Sequence, residues 1–187
     1  MFTYSEPKQL ANGCYAVRVM NEDGSRVLKQ LNNVILLSDF HETQVVVFDI
    51  GNYMDIINEV DNLNVEASKN NSTSWFGREL APKTIETAHG SSVTADGEIS
   101  LHKVKGLKIY NHNKELIGPD SLVPNTRCDV IAELTNLTFT KKSFRAVWKL
   151  VQVKLRPPSK TKYTDEYLFQ DDEGQAEDET DSDEEMI

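Results

Sequence analysis

Apolar and polar positions alternate in strand-like fashion over residues 14–20 (CYAVRVM), 26–37 (RVLKQLNNVILL) and 43–51 (TQVVVFDIG), with NEDGS between the first two as a turn rich in Asn, Asp and Gly. These segments predict an antiparallel meander. From Tyr53 to Asn64 the period changes, because Met54, Ile57, Val60 and Leu63 recur at helical spacing. A polar linker, SKNNSTS, then leads into WFGREL, so that Trp75 and Phe76 open a helical insert. Pro82 suits the first turn of a further helix, which Gly90 can close as a C-cap. Strand patterns return at 102–110 (HKVKGLKIY), at 127–139 (RCDVIAELTNLTF) after a turn at NHNKE, and in the stretch FTKKSFRAVWKLVQVKLR, residues 139–156.

Helices gathered into one insertion between strands do not suit an all-parallel α/β fold, in which a helix follows each strand. They suit a mainly β fold: a small five-stranded barrel of the OB-fold type, with a helical insertion plugging one end. The last strand agrees. Phe144, Ala146, Trp148 and Leu150 are apolar on one phase, whereas Val151, Val153 and Leu155 are apolar on the other. A one-residue phase change without a turn residue is what a β-bulge, or a strand buried on both faces, produces. Pro157-Pro158 ends the sheet, giving a folded domain over 1–157 and a linker with an acidic tail over 158–187. The tail is too acidic and too poor in core residues to fold alone and is expected to be disordered when free.

Charge divides the chain at the same place. The formal net charge is −10, yet residues 165–187 hold twelve acids and no Lys or Arg, leaving 18 of the 30 acids against all 20 bases in the body. Between Glu133 and Asp165 there are eight bases and no acid, among them Lys141, Lys142, Arg145, Lys149, Lys154 and Arg156, interleaved with Phe139, Phe144 and Trp148. Single-stranded nucleic acid matches that combination, since its phosphates release counterions to a cationic groove and its unpaired bases stack on aromatic rings. Lys103, Lys105 and Lys108, followed by Tyr110, supply a second basic segment suited to the opposite wall. The competing reading makes Phe144 and Trp148 core residues and the bases a solvated strand face, and the sequence leaves both open; Trp75 is expected to be structural.

Other chemistry finds little support. No GxxxxGK[ST], GxGxxG or GxSxG motif occurs, and His41, His89, His102 and His112 fall in no zinc-ligand spacing with one another or with the two cysteines. The expectation is a binding protein rather than an enzyme, without cofactor or metal. Cys14 and Cys128 read as free thiols of a reducing compartment, and with no signal-peptide pattern or long apolar run the chain is expected to be soluble and intracellular.

The block SLVPNTRCDVIAELTNLTFTKKSFRAVWKLVQVKL (121–155), with Pro124, Val130, Leu134, Phe139, Phe144, Trp148 and Gln152 in register, resembles the single-stranded DNA-binding proteins of nucleocytoplasmic large DNA viruses. Those proteins are in turn similar to the gene 2.5 type of short-tailed bacteriophages. The insert NSTSWFGREL and the segment VVVFDI leading into a helix match the same group. The resemblance implies an OB-fold that binds single-stranded DNA in viral replication, recombination or repair, in the host cytoplasm at a viral replication site or in the nucleus. It also implies a tail that contacts replication proteins such as a DNA polymerase or helicase, through Asp171, Asp172, Glu173, Glu177, Asp178, Glu179, Asp181, Asp183, Glu184 and Glu185. A homodimer is left open, and no membrane partner is expected. The alternative from another class is an acidic-tailed β-sandwich chaperone for basic client proteins, which accounts for the tail but not for the basic strand.

Overall fold

A computed structural model describes residues 2–157; the linker and acidic tail expected over 158–187 lie outside the described residues. The strands are β1 (Phe2–Tyr4), β2 (Lys8–Gln9), β3 (Tyr15–Asn21), β4 (Val27–Leu36), β5 (Val45–Asp49), β6 (His89–Gly90), β7 (Glu98–Tyr110), β8 (Arg127–Phe139) and β9 (Phe144–Leu155). Helices α1 (Met54–Asn70), α2 (Ser72–Phe76) and α3 (Pro82–Ala88) all fall between β5 and β6. The chain is mainly β, as the pattern predicts.

Five strands close on themselves. β4 pairs antiparallel with β5 and with β8, β5 with β7, and β8 with β9, while β7 and β9 run parallel. Among these five, the first strand therefore pairs with the second and fourth, and the third lies parallel beside the fifth. That is the connectivity of an OB-fold barrel. The helices join its second strand to its third.

The expected meander is formed only in its second half, where β4 pairs antiparallel with β5. β3 and β4 do not pair with each other; they lie end to end along one edge of β8, β4 against residues 127–134 and β3 against 136–139. β8, at 13 residues, is long enough to serve both. The NEDGS segment is thus an excursion between two collinear strands rather than a hairpin. Asn21 closes its base, donating its backbone N–H to Ser25 O at 2.9 Å and its side-chain amide to Ser25 Oγ and Arg26 O.

The phase change along β9 is a bulge. Ile131 faces Gln152 but Ala132 faces Leu150, so Val151 is the extra residue, and a second irregularity leaves Thr135 unmatched on β8. Each bulge bends the ladder and keeps Trp148, Leu150 and Val153 pointing inward as the barrel curves. Inside, they meet Val17, Leu31, Phe48, Leu101 and Leu137, all buried. Each such side chain contributes about 1.5–3 kcal/mol of transfer free energy.

α1 is longer than its apolar period predicts. It buries Ile57, Val60, Asp61, Asn64, Val65 and Ser68, whereas Leu63 is exposed. Most polar atoms of this stripe have partners: Asp61 accepts from Ser92 N and Ser92 Oγ, both at 2.7 Å, Tyr4 Oη donates to Asn64 Oδ1 at 3.0 Å and Ser68 Oγ to Asn64 O at 2.8 Å, whereas Asn64 Nδ2 is buried without a partner among the described residues. Hydrogen bonding is what makes burial of such groups tolerable. Gly90 is not a C-cap. α3 ends at Ala88, His89 is already extended, and Gly90 pairs with Arg145 as part of a short parallel strand.

Candidate nucleic-acid interface

Alternation along β9 separates its aromatics from its bases. Phe144 and Trp148 face the core, 1% and 2% exposed, and Arg145, Lys149 and Lys154 face outward. Phe144 stacks on Phe139 with centroids 5.3 Å apart and planes 11° apart, and meets Phe76 and His89 edge-on or tilted. Trp148 donates its indole N–H to Ser92 Oγ at 3.0 Å. Neither ring offers a face to a ligand, so of the two readings the sequence leaves open the core one holds, and Phe144 and Trp148 are corrected out of the DNA-binding candidates: in this fold they hold the barrel to its helical plug.

His89 belongs to the same buried layer. Its Nε2 lies 3.8 Å from Asp61 Oδ1, and burial depresses its pKa below the ordinary value while Asp61 opposes that shift. Ser92 rather than His89 is the hydrogen-bonded neighbour of Asp61.

The outward bases gather more cations than β9 alone supplies. Lys149 shares a groove of about 620 Å³ with Lys8 on β2, Arg18 on β3 and Arg26. The single carboxylate in its lining is Glu133, 3.7 Å from Arg26. Thr135 and Asn136 of the bulged part of β8 add a polar floor. Pairing of Ala16 with Thr138 and of Arg18 with Asn136 carries β3 to this place, next to the β9 positions that face those same residues. Three of these four cations were not legible in the sequence. Arg18 does sit on the outward phase of AVRVM, but nothing local couples it to Lys149.

The second basic segment is divided by the fold. Lys103 donates Nζ to Phe40 O at 2.6 Å and lies over the Phe40 ring, 4.8 Å from its centroid, so it tethers the loop before β5. Residues 104–107 loop out of register between Lys103 and Lys108, turned by Gly106 at φ +76°, and carry Lys105 away from β9. Lys108 and Tyr110 do return to its side, opposite Gln152 and Lys154.

Lys154 and Arg156 are already engaged. Asp129 accepts Lys154 Nζ at 2.9 Å, Arg156 Nε at 2.6 Å and Asn33 N at 2.9 Å. Burial raises this carboxyl's pKa, but the Asn33 N–H and the two cations outweigh burial and hold it below the ordinary range. The clamp pins the left-handed Asn33, φ 56°, at the β4 irregularity between Leu31 and Val34. Lys141 and Lys142 lie exposed in the β8–β9 turn, and Arg145 is exposed beside Gly90. The ten tail carboxylates predicted to contact partners are outside the described residues.

Among solved structures the chain is similar to a single-stranded DNA-binding protein from bacteriophage Enc34. Its C-terminal truncation aligns at 13% identity and a TM-score of 0.48, covering 82% of this chain and 93% of that one. The same phage protein in complex with ssDNA aligns at 13% identity and a TM-score of 0.45, covering 82% and 95%. No curated protein matches the sequence. A family model matches residues 32–171, most of the chain, and the chain therefore belongs to that family, described as a Family of unknown function (DUF5871).

Proposed function

We propose that this chain is a non-enzymatic, sequence-nonspecific single-stranded DNA-binding protein acting in viral DNA replication, recombination and repair. The observation that carries the reading is the groove on the outer face of the barrel, where Lys8, Arg18, Arg26 and Lys149 meet with one carboxylate in the lining. A cationic trough along strands suits a flexible polyanion, because its affinity comes from counterion release at phosphates and needs no base-edge contacts. Arg145, Lys141 and Lys142 lengthen the positive surface from β9 into the β8–β9 turn, and Lys108 and Tyr110 lie further along β9, opposite Gln152 and Lys154. In this reading the acidic tail competes with DNA for the groove at high effective concentration and recruits replication proteins once DNA displaces it.

Titration of the full chain with labelled oligo(dT) at several salt concentrations tests the proposal. Three to five neutralised phosphates give a slope of log K against log[salt] of roughly −2 to −3.5 for a single strand. A slope near zero, or protection of basic client proteins without DNA binding, would overturn it.

A further inference from the structure

A second groove, of about 830 Å³, opens where α2 and the segment after it face the start of β3. Its walls are aromatic. Tyr15 stands on one side, 46% exposed, and Trp75 and Phe76 of α2 on the other. Phe139 lies beneath, with ring centroids 5.7 Å from Trp75 and 5.4 Å from Phe76. Arg78 and Lys141 complete the lining, which contains no carboxylate. Glu6 borders the lining, accepting Ser74 Oγ at 3.3 Å.

The wall is held in shape before any ligand arrives. Gly77 ends α2 in the left-handed region at φ +71°, and the chain then turns back so that Leu80 N donates to Ser72 Oγ at 2.8 Å. Fixing the wall in advance lowers the ordering cost of binding. Tyr15 is unlike the other rings. It is a large aromatic on a strand, half out in solvent, contributing little to the core that Trp75, Phe139 and Phe144 build.

Resting on the single-stranded DNA reading above, we propose that this groove seats an unpaired base of the bound strand, stacked on Tyr15, with Arg78 and Lys141 on the flanking phosphates. An exposed aromatic face bordered by cations, with no carboxylate in the lining, matches a nucleotide in both parts: the Tyr15 ring takes the base, and the cations take its charge. The groove supplies the stacking surface that Phe144 and Trp148, buried in the core, do not. Lys141 in the β8–β9 turn links it to the cationic face of β9.

The test uses the full chain, with oligo(dT) as the probe and Cys14 as the reporter. Cys14 lines the groove and is half-buried, whereas Cys128 is fully buried with its thiol pushed up to about 12 by burial and by Asp129, so native maleimide labelling reads Cys14. Saturating oligo(dT) is expected to slow labelling. Tyr15→Ala is expected to weaken binding by roughly 5- to 150-fold, the range for losing one stacked base, with an unchanged melting temperature, and Tyr15→Phe is expected to restore the affinity. Arg78→Ala with Lys141→Ala should flatten the salt slope.

If oligo(dT) binds well but Tyr15→Ala binds equally and Cys14 labels at its free rate, the groove proposal is overturned while the general DNA-binding reading stands. If the wild-type chain does not bind oligo(dT), both fall. If Cys14 becomes reactive once residues 158–187 are removed and oligo(dT) then fails to slow its labelling in the truncated chain, the groove belongs to the chain's own tail and the proposal is likewise overturned.

Discussion

Trp148 and Asp61, on a barrel strand and on the helical plug, are joined through one hydroxyl: Ser92 Oγ accepts the indole N–H at 3.0 Å and donates to the carboxylate at 2.7 Å. Trp148→Phe leaves a cavity and removes the donor, and is expected to cost about 2–4 kcal/mol of stability. Ser92→Ala leaves the indole N–H and one Asp61 oxygen without a partner, Asp61 keeping the Ser92 backbone N–H, and should cost about 1–3 kcal/mol. Chemical denaturation measures both, and oligo(dT) affinity should not change in either variant under conditions where it is folded. A loss of affinity with full stability would return Trp148 to the ligand surface.

Arg18 and Lys149 come from strands far apart in sequence and line one groove. Replacing both by Ala should make the salt slope of oligo(dT) binding shallower by about 0.7 for each phosphate that is no longer neutralised. Because the effect is electrostatic, it should be large at low salt and shrink as salt rises. Filter binding or anisotropy at three ionic strengths is sufficient, and an unchanged slope would remove this groove from the binding path.

Asp129 makes stability depend on acid pH. Its carboxyl titrates below the ordinary value of 3.8 in the folded chain, so the unfolded chain holds the proton more tightly. The stabilisation is therefore complete above that ordinary value and is lost as pH falls through the depressed one. Asp129→Asn should lower stability at neutral pH by about 1.5–3 kcal/mol, the range for hydrogen bonds to charged groups, and flatten the acid limb. Thermal melts from pH 7 down to pH 2 measure it; parallel acid limbs for the two proteins would assign the loss to other carboxylates.

Removing residues 165–187 should raise affinity for oligo(dT), and the gain should diminish with added salt as the twelve acids are screened from the cationic face. Equal binding by the full and truncated chains at low salt would leave the acids a role in solubility alone.

What the sequence reveals here is what is encoded locally. The limits of β8 match its apolar run, and the bulge at Val151 falls where the phase of β9 changes, because both follow from side-chain alternation on a single strand. NEDGS misleads for a physical reason: Asn, Asp and Gly serve a loop excursion as well as a hairpin, and only the partner strand distinguishes them. The binding surface was half legible. Lys149 and Arg145 stand out as bases on an acid-free strand, but the arrival of Lys8, Arg18 and Arg26 beside Lys149 depends on β3 pairing with β8, which no nearby residue announces. For Phe144 and Trp148 both phases of β9 carry apolar residues, so inward and outward could be told apart only once the bulge was located.

β8 carries β3 and β4 on one edge and β9 on the other, and this arrangement dictates when the barrel can assemble. β3 and β4 have no ladder with each other, and the clamp between Asn33 and Asp129 spans 96 positions of chain. The longest ladder between strands adjacent in sequence is that of β8 with β9 across the turn at Thr140–Ser143, which makes that hairpin the natural nucleus. Until it forms, the first two long strands lack the edge of β8 that both share, and closing such distant contacts carries the loop entropy that slows β-rich chains to the millisecond-to-second range. The hairpin that presents the bases would then also be the seam on which the rest of the molecule is laid down.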